Sequence, residues 1–146
     1  MLHTNNAAET LTRLQNLGIP AFNLAPSISL IIAQRLARKI CITRKESAEI
    51  LEKVLIAKGF NKASPPHLKL SRAVGCSNCN EGYKNRIWIY EVVPIIEALS
   101  RIIINGANSI QIAGQMQKEG FSNLRQSALL KVAQDLINLE EANRMT

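Results

Sequence analysis

Residues 68–92 read Leu68-Lys-Leu-Ser-Arg-Ala-Val74, then Gly75-Cys-Ser-Asn-Cys-Asn-Glu-Gly82, then Tyr83-Lys-Asn and Arg86-Ile-Trp-Ile-Tyr-Glu-Val92. The outer pieces are β-rich and alternate as half-buried strands do, while the glycine-bounded middle is a turn carrying Cys-x-x-Cys. The two strands are expected to pair as a small hairpin. The rest reads as helix, so the expected class is α+β, mainly α with one small β-hairpin.

Upstream, Asn5 or Asn6 can cap a helix whose apolar positions Ala7, Ala8, Leu11, Leu14 and Leu17 recur at helical spacing until Gly18-Ile19-Pro20. Residues 26–40 open on Pro26 and place Ile28, Ile31, Ile32, Leu36 and Ile40 on one helical face. Arg35, Arg38 and Lys39 then fall near a C-terminal end, where cations suit the helix dipole. Thr43-x-x-Glu46 has the form of a capping box, opening a third helix with Ile50, Leu51, Val54 and Leu55 that stops at Gly59. Glu49 and Lys53 would make an i,i+4 pair on it. Downstream, Pro94 starts a helix reaching about Asn105, and Asn108 or Ser109 caps another that ends near Gly120. Ser122 leads a third with Leu124, Leu129 and Val132, and Asn138 with Glu140 and Glu141 makes a terminal turn.

The 146 residues are 47% hydrophobic and 20% charged, which excludes a disordered or collagen-like chain. No apolar run exceeds the four residues of Leu30-Ile31-Ile32-Ala33, far below the roughly 20 of a membrane-spanning helix. The N-terminus lacks the pattern of a secretory signal, so the expected location is cytoplasmic, with reduced thiols. Net charge is +7, and residues 1–45 hold six bases against Glu9 alone. Such an excess attracts nucleic acid, anionic lipid, a nucleotide or an acidic protein without choosing among them.

Cys76-x-x-Cys79 is half of a zinc knuckle, and Cys41 could open the second half, yet Arg44 stands three residues on where a fourth cysteine is needed. His67, in a Pro-Pro-His context, is not a convincing substitute. A reduced, metal-free turn is therefore expected, with zinc as the alternative. His3 lies just before a helix start, where an anion finds backbone N–H groups. None of the seven glycines is followed by lysine, so the sequence holds no P-loop, and it offers no Ser/His/Asp set. No complete catalytic apparatus is present.

Leu2-His-Thr-Asn-Asn-Ala, Thr10-Leu-Thr-Arg-Leu and Ile31-Ile-Ala-Gln-Arg-Leu-Ala-Arg-Lys-Ile-Cys41 closely resemble type IV pilus assembly and type II secretion ATPases, the PilB/GspE family, from their His box onward. Arg72-Ala-Val-Gly-Cys-Ser-Asn-Cys79, Gly82-Tyr-Lys, Ile89-Tyr-Glu-Val-Val-Pro94, Leu124-Arg-Gln-Ser-Ala128 and Leu139-Glu-Glu-Ala-Asn-Arg144 continue the likeness. The resemblance implies the C-terminal portion of a RecA-like secretion ATPase, truncated before its central sheet. Its segments would be 1–40, the tail of the RecA-like core; 41–93, a degenerate tetracysteine zinc knuckle with hairpin; and 94–146, a helical subdomain. It makes His3 a nucleotide-binding residue and Cys41, Cys76 and Cys79 three of four zinc ligands. Arg13, Gln34, Arg35 and Arg38 become interface candidates. ATP and magnesium belong to the full-length motor, whose intact subunits or inner-membrane platform protein are the implied partners, placing the chain in the cytoplasm or peripheral to that membrane. Asn85, Trp88 and Asp135 stand where the family commonly has glycine, which threatens local geometry if those positions need positive φ. A chain cut at a core strand would expose apolar surface and tend to associate. Two rival readings are a freestanding regulatory or scaffold module that binds the motor or its platform, and a basic zinc-knuckle nucleic-acid-binding domain. Sparse aromatics, with Tyr83, Trp88 and Tyr90 confined to one segment, disfavour the latter.

Overall fold

The computed structural model describes residues 4–50, 52–60 and 70–146. Over these the chain is α+β, with helices α1 (Ala7–Asn16), α2 (Ala21–Ser27), α3 (Glu52–Ala57), α4 (Glu97–Ile104), α5 (Ser109–Lys118), α6 (Leu124–Ala133) and α7 (Leu139–Met145). Strands β1 (Leu30–Ile40) and β4 (Tyr83–Pro94) form one two-stranded sheet; β2 (Lys45–Ala48) and β3 (Leu70–Ala73) form another. No helix among the described residues is long and apolar enough to cross a membrane.

Two compact units emerge, each discontinuous in sequence. The first combines residues 1–34 with 90–124, the second 35–89 with 125–146, so the division falls inside both β1 and β4.

In the first unit, Ala7, Ala8 and Leu11 of α1 share a core with Leu24, Ile31, Val93, Leu99, Ile103, Ile112 and Met116. Helices α1 and α5 start on asparagines, as expected, whereas α2 follows Pro20 and α4 follows Ile96 with no side-chain cap, so the helix expected from Pro94 begins only at Glu97. Asn6 Oδ1 accepts from the Glu9 N–H at 2.8 Å, and Asn108 exchanges two 3.0 Å bonds with Gln111 in a full capping box. The outward positions Leu30, Ile32, Tyr90 and Val92 leave apolar surface exposed.

In the second unit, Ala37, Ile40, Cys41, Leu70, Ile89, Ala128, Val132 and Ile137 are buried. Helix α6 closes with the Leu136 N–H on Lys131 O at 3.0 Å, and the left-handed residue that this closure requires is Asp135, at φ 57°. Asn85 is left-handed too, at φ 66°, whereas Trp88 is not among the positive-φ residues. Two of the three positions that the resemblance marks for glycine thus lie in the left-handed region, where glycine is freest. Asn and Asp are the side chains that tolerate it best.

Three expectations are corrected. Residues 30–40 are a strand, not a helix, so Arg35, Arg38 and Lys39 meet no helix dipole. Ile31 is buried in the first unit and Ala37 and Ile40 in the second. Ile31 and Ala37 share one face of the strand, but Ile32 is exposed and Ile40 is buried three places after Ala37, so the apolar residues follow no period of two. Thr43-x-x-Glu46 does not cap a helix but leads into β2, where Glu46 sits opposite Arg72 and Lys45 opposite Ala73. Glu49 therefore shares no helix with Lys53, since α3 begins only at Glu52. Finally, the two β-rich runs do not pair with each other: β3 pairs with β2, and β4 with β1. The bond from Ile95 N–H to Ser29 O at 2.9 Å and that from Cys41 N–H to Gly82 O at 2.8 Å fix the β1–β4 pair as antiparallel.

Candidate functional site

Cys41 follows the last residue of β1, and Cys76 and Cys79 lie in the turn before β4, all within the second unit. That turn is tightly built. Asn80 and Tyr83 exchange backbone bonds of 3.0 and 2.9 Å across Glu81 and Gly82, whose φ values of 50° and 86° follow the type I′ pattern. A Cβ on Gly82 would meet Ala73 Cβ at 2.7 Å and Val74 N at 2.8 Å, so only glycine lets the turn approach β3.

The fold brings the three thiols together, with all sulfurs within 4.8 Å of one another. Cys41 Sγ lies 3.8 Å from Cys76 Sγ, and Cys76 Sγ lies 3.3 Å from Cys79 Sγ. Zinc–sulfur bonds of 2.3 Å set tetrahedral edges near ~3.8 Å, so the set is compatible with three corners of a zinc site. The thiols differ electrostatically. Hydrogen bonding from the Thr43 backbone N–H, working against burial and joined by the Thr43 hydroxyl and the Arg44 N–H, lowers Cys41 from 9.0 to about 7. Cys76 is pushed up, first by its hydrogen bond to Cys79. Arg44 is exposed and supplies its backbone N–H to this corner. A guanidinium has no lone pair to donate, so a bound zinc would take its fourth ligand from water or another molecule.

Arg38 is embedded in a polar network of the same unit. Glu141 is buried at the first turn of α7, where Asn138 Oδ1 accepts from its N–H at 3.0 Å. It accepts from the Arg38 N–H at 2.9 Å, Arg38 Nε at 3.1 Å and Nη2 at 2.9 Å, and from Arg144 Nε at 2.9 Å and Nη2 at 2.6 Å. Burial pushes this carboxyl up, but the Arg144 and Arg38 hydrogen bonds outweigh it and hold it at about 2. The Arg38 guanidinium lies 4.1 Å from the centroid of the Tyr83 ring, whose hydroxyl accepts from Asn138 Nδ2 at 3.0 Å.

In the first unit, Glu91 is buried and its Oε2 accepts from the Ala7 N–H, the first of α1, at 3.3 Å. Burial raises its pKa, with the Ala7 bond acting in the other direction. Together with Asn5 N–H donating to Glu9 Oε2 at 3.1 Å, this occupies amides at the helix start that an outside anion would need. His3 and His67 lie outside the described residues. Arg13 is exposed on α1, while Gln34 and Arg35 stand on β1, exposed and half-buried respectively.

Sequence reasoning missed Glu141 and Glu91 as organising groups. The Asn138-x-x-Glu141 spacing was the available signal for the first. For the second it was the alternation of β4, which turns residues 89, 91 and 93 inward.

A family described as Type II/IV secretion system protein matches residues 1–144. The chain is 55% identical over 145 residues to a type IV pilus assembly ATPase, PilB, of Pseudomonas aeruginosa, covering 99% of this chain and 26% of that protein. It is 34% identical over 146 residues to a type II secretion system protein E of Aeromonas hydrophila, covering 99% and 28%. The chain thus spans about a quarter of the length of these relatives. A crystal structure of the pilus retraction motor PilT with bound ADP shares the fold at TM-score 0.60 and 21% identity, over 99% of this chain and 31% of that one.

Proposed function

The chain belongs to the type II/IV secretion system protein family, and from that membership we propose that it is the C-terminal portion of a type IV pilus assembly ATPase. The observation that carries this is the 55% identity to PilB over nearly the whole chain. With no P-loop in these 146 residues, ATP and magnesium would be gripped by the remainder of the motor. This portion would supply His3 toward the nucleotide, surfaces around Arg13, Gln34, Arg35 and Arg38 toward neighbouring subunits or the membrane platform protein, and the three-cysteine corner. Zinc held there by Cys41, Cys76 and Cys79 would serve structure, clamping the end of β1 to the turn before β4. Such a motor works at the cytoplasmic side of the inner membrane.

The test is a segment exchange. The chain replaces its counterpart in the Pseudomonas aeruginosa PilB, and ATP hydrolysis and surface piliation are measured beside those of the parent. The expected result is a folded chimera that hydrolyses ATP and assembles pili, while the isolated chain releases no phosphate from ATP. A folded chimera without either activity, or ATP hydrolysis by the isolated chain, overturns the reading.

A further inference from the structure

Arg38, Asn80, Tyr83, Asn85 and Arg86 line a hollow of about 200 Å³ in the second unit. Two arginines and two asparagines are among the five residues that line it, and no acidic residue is. Arg38 is fixed from behind: Nε and Nη2 donate to Glu141 at 3.1 and 2.9 Å, and its plane is seated on the Tyr83 ring. Because Arg144 answers the same carboxylate, the cluster keeps a positive excess. Arg38 Nη1 and the whole Arg86 guanidinium have no acceptor among the described residues. Asn80 and Asn85 are anchored through their backbones, the first by its exchange with Tyr83 and the second in its left-handed conformation.

We propose that this hollow binds a phosphate group. The space is too small for a whole drug-sized molecule, whose pockets start at about 300 Å³, but it suits one charged group. A carboxylate offers two oxygens in one plane to a single arginine fork. A hollow lined by four residues with donor side chains, two of them cationic, instead matches the several oxygens and double charge of phosphate. The phosphate belongs either to a free ion or ester or to a lipid headgroup, and the experiment separates these sources.

The 146-residue chain is titrated with inorganic phosphate, pyrophosphate and acetate at constant ionic strength. Binding is followed by calorimetry and by the fluorescence of Trp88, the single tryptophan, two residues from Arg86. Saturable binding of phosphate or pyrophosphate and not of acetate is expected. Arg86→Ala should weaken it about 10-fold or more, the worth of one charge-assisted hydrogen bond. Asn85→Gly should weaken it without lowering stability, because glycine suits that backbone. Lys84→Ala, an exposed cation outside the lining, should leave it unchanged. No saturation, acetate binding as tightly, or Lys84→Ala costing as much as Arg86→Ala overturns the proposal. Vesicles of phosphatidylglycerol, compared with phosphatidylcholine, give the source: Arg86-dependent recruitment assigns the phosphate to a lipid, and free-phosphate binding without recruitment assigns it to a soluble ligand.

Discussion

Replacing Glu141 by glutamine should unfasten the second unit, and the size of the effect follows from the carboxyl's environment. Its fall from 4.5 to about 2, at ~1.4 kcal/mol per tenfold change in proton affinity, corresponds to about 3 kcal/mol of stability at neutral pH. Arg38 and Arg144 are 40% and 55% exposed, so water screens their half of the interaction and a measured loss of about 2–3 kcal/mol is expected. Because the folded carboxyl titrates below its ordinary value, this contribution is complete above about pH 5 and drains away as the pH falls toward 2. Urea unfolding followed through Trp88, which belongs to the same unit, measures it. The parent should lose stability between about pH 5 and pH 2 that Glu141→Gln, already without the carboxylate, does not lose. Equal stability of the two at pH 7, or parallel pH profiles, refutes the assigned role of this buried carboxylate.

Three further outcomes are expected. Asn85→Gly should raise stability by up to about 1 kcal/mol, by relieving a left-handed side chain, while Gly82→Ala should lower it by more than that, because its Cβ has no room; urea midpoints of both variants decide. Glu91 has its pKa raised, so ionising it opposes folding as the pH climbs past the ordinary carboxylate value. Glu91→Gln, whose amide oxygen still accepts from Ala7, should gain stability at pH 7 and none at pH 4, a difference visible in thermal melts. Arg44→Cys should complete the tetrahedron and tighten zinc at least tenfold in a chelator competition, whereas an unchanged affinity would show that residue 44 does not reach the metal.

The asparagine caps were legible because the signal is local, although the equally local Thr43-x-x-Glu46 led into a strand. Asn6, Asn108 and Asn138 each precede a helix and accept the third amide along. The cysteine triad was legible because a turn motif plus one distant thiol leaves few arrangements. Strand β1 was not, since Ile32 is exposed while Ile40 is buried three places after Ala37, so its apolar residues show no strand alternation to read. Strand pairing failed for a related reason. Residues 68–74 and 86–92 are neighbours in sequence, but burial of Ile89 and Val93 aligns β4 with β1, while β3 finds β2. Long-range burial decided there, and sequence proximity could not reveal it. Asn85 and Asp135 show the opposite case, where a departure from glycine marked backbone positions that are in fact left-handed.

The clasp between Arg38 and Glu141 joins residues 103 positions apart. A ribosome adding residues in order delivers Arg38 first, and at about 5–20 residues per second its partner follows roughly 5–20 seconds later. Throughout that interval the nascent second unit holds an unanswered guanidinium and an open apolar flank, awaiting α6 and α7. Vectorial synthesis therefore completes the first unit, whose last core residue lies near position 121, before the second can close.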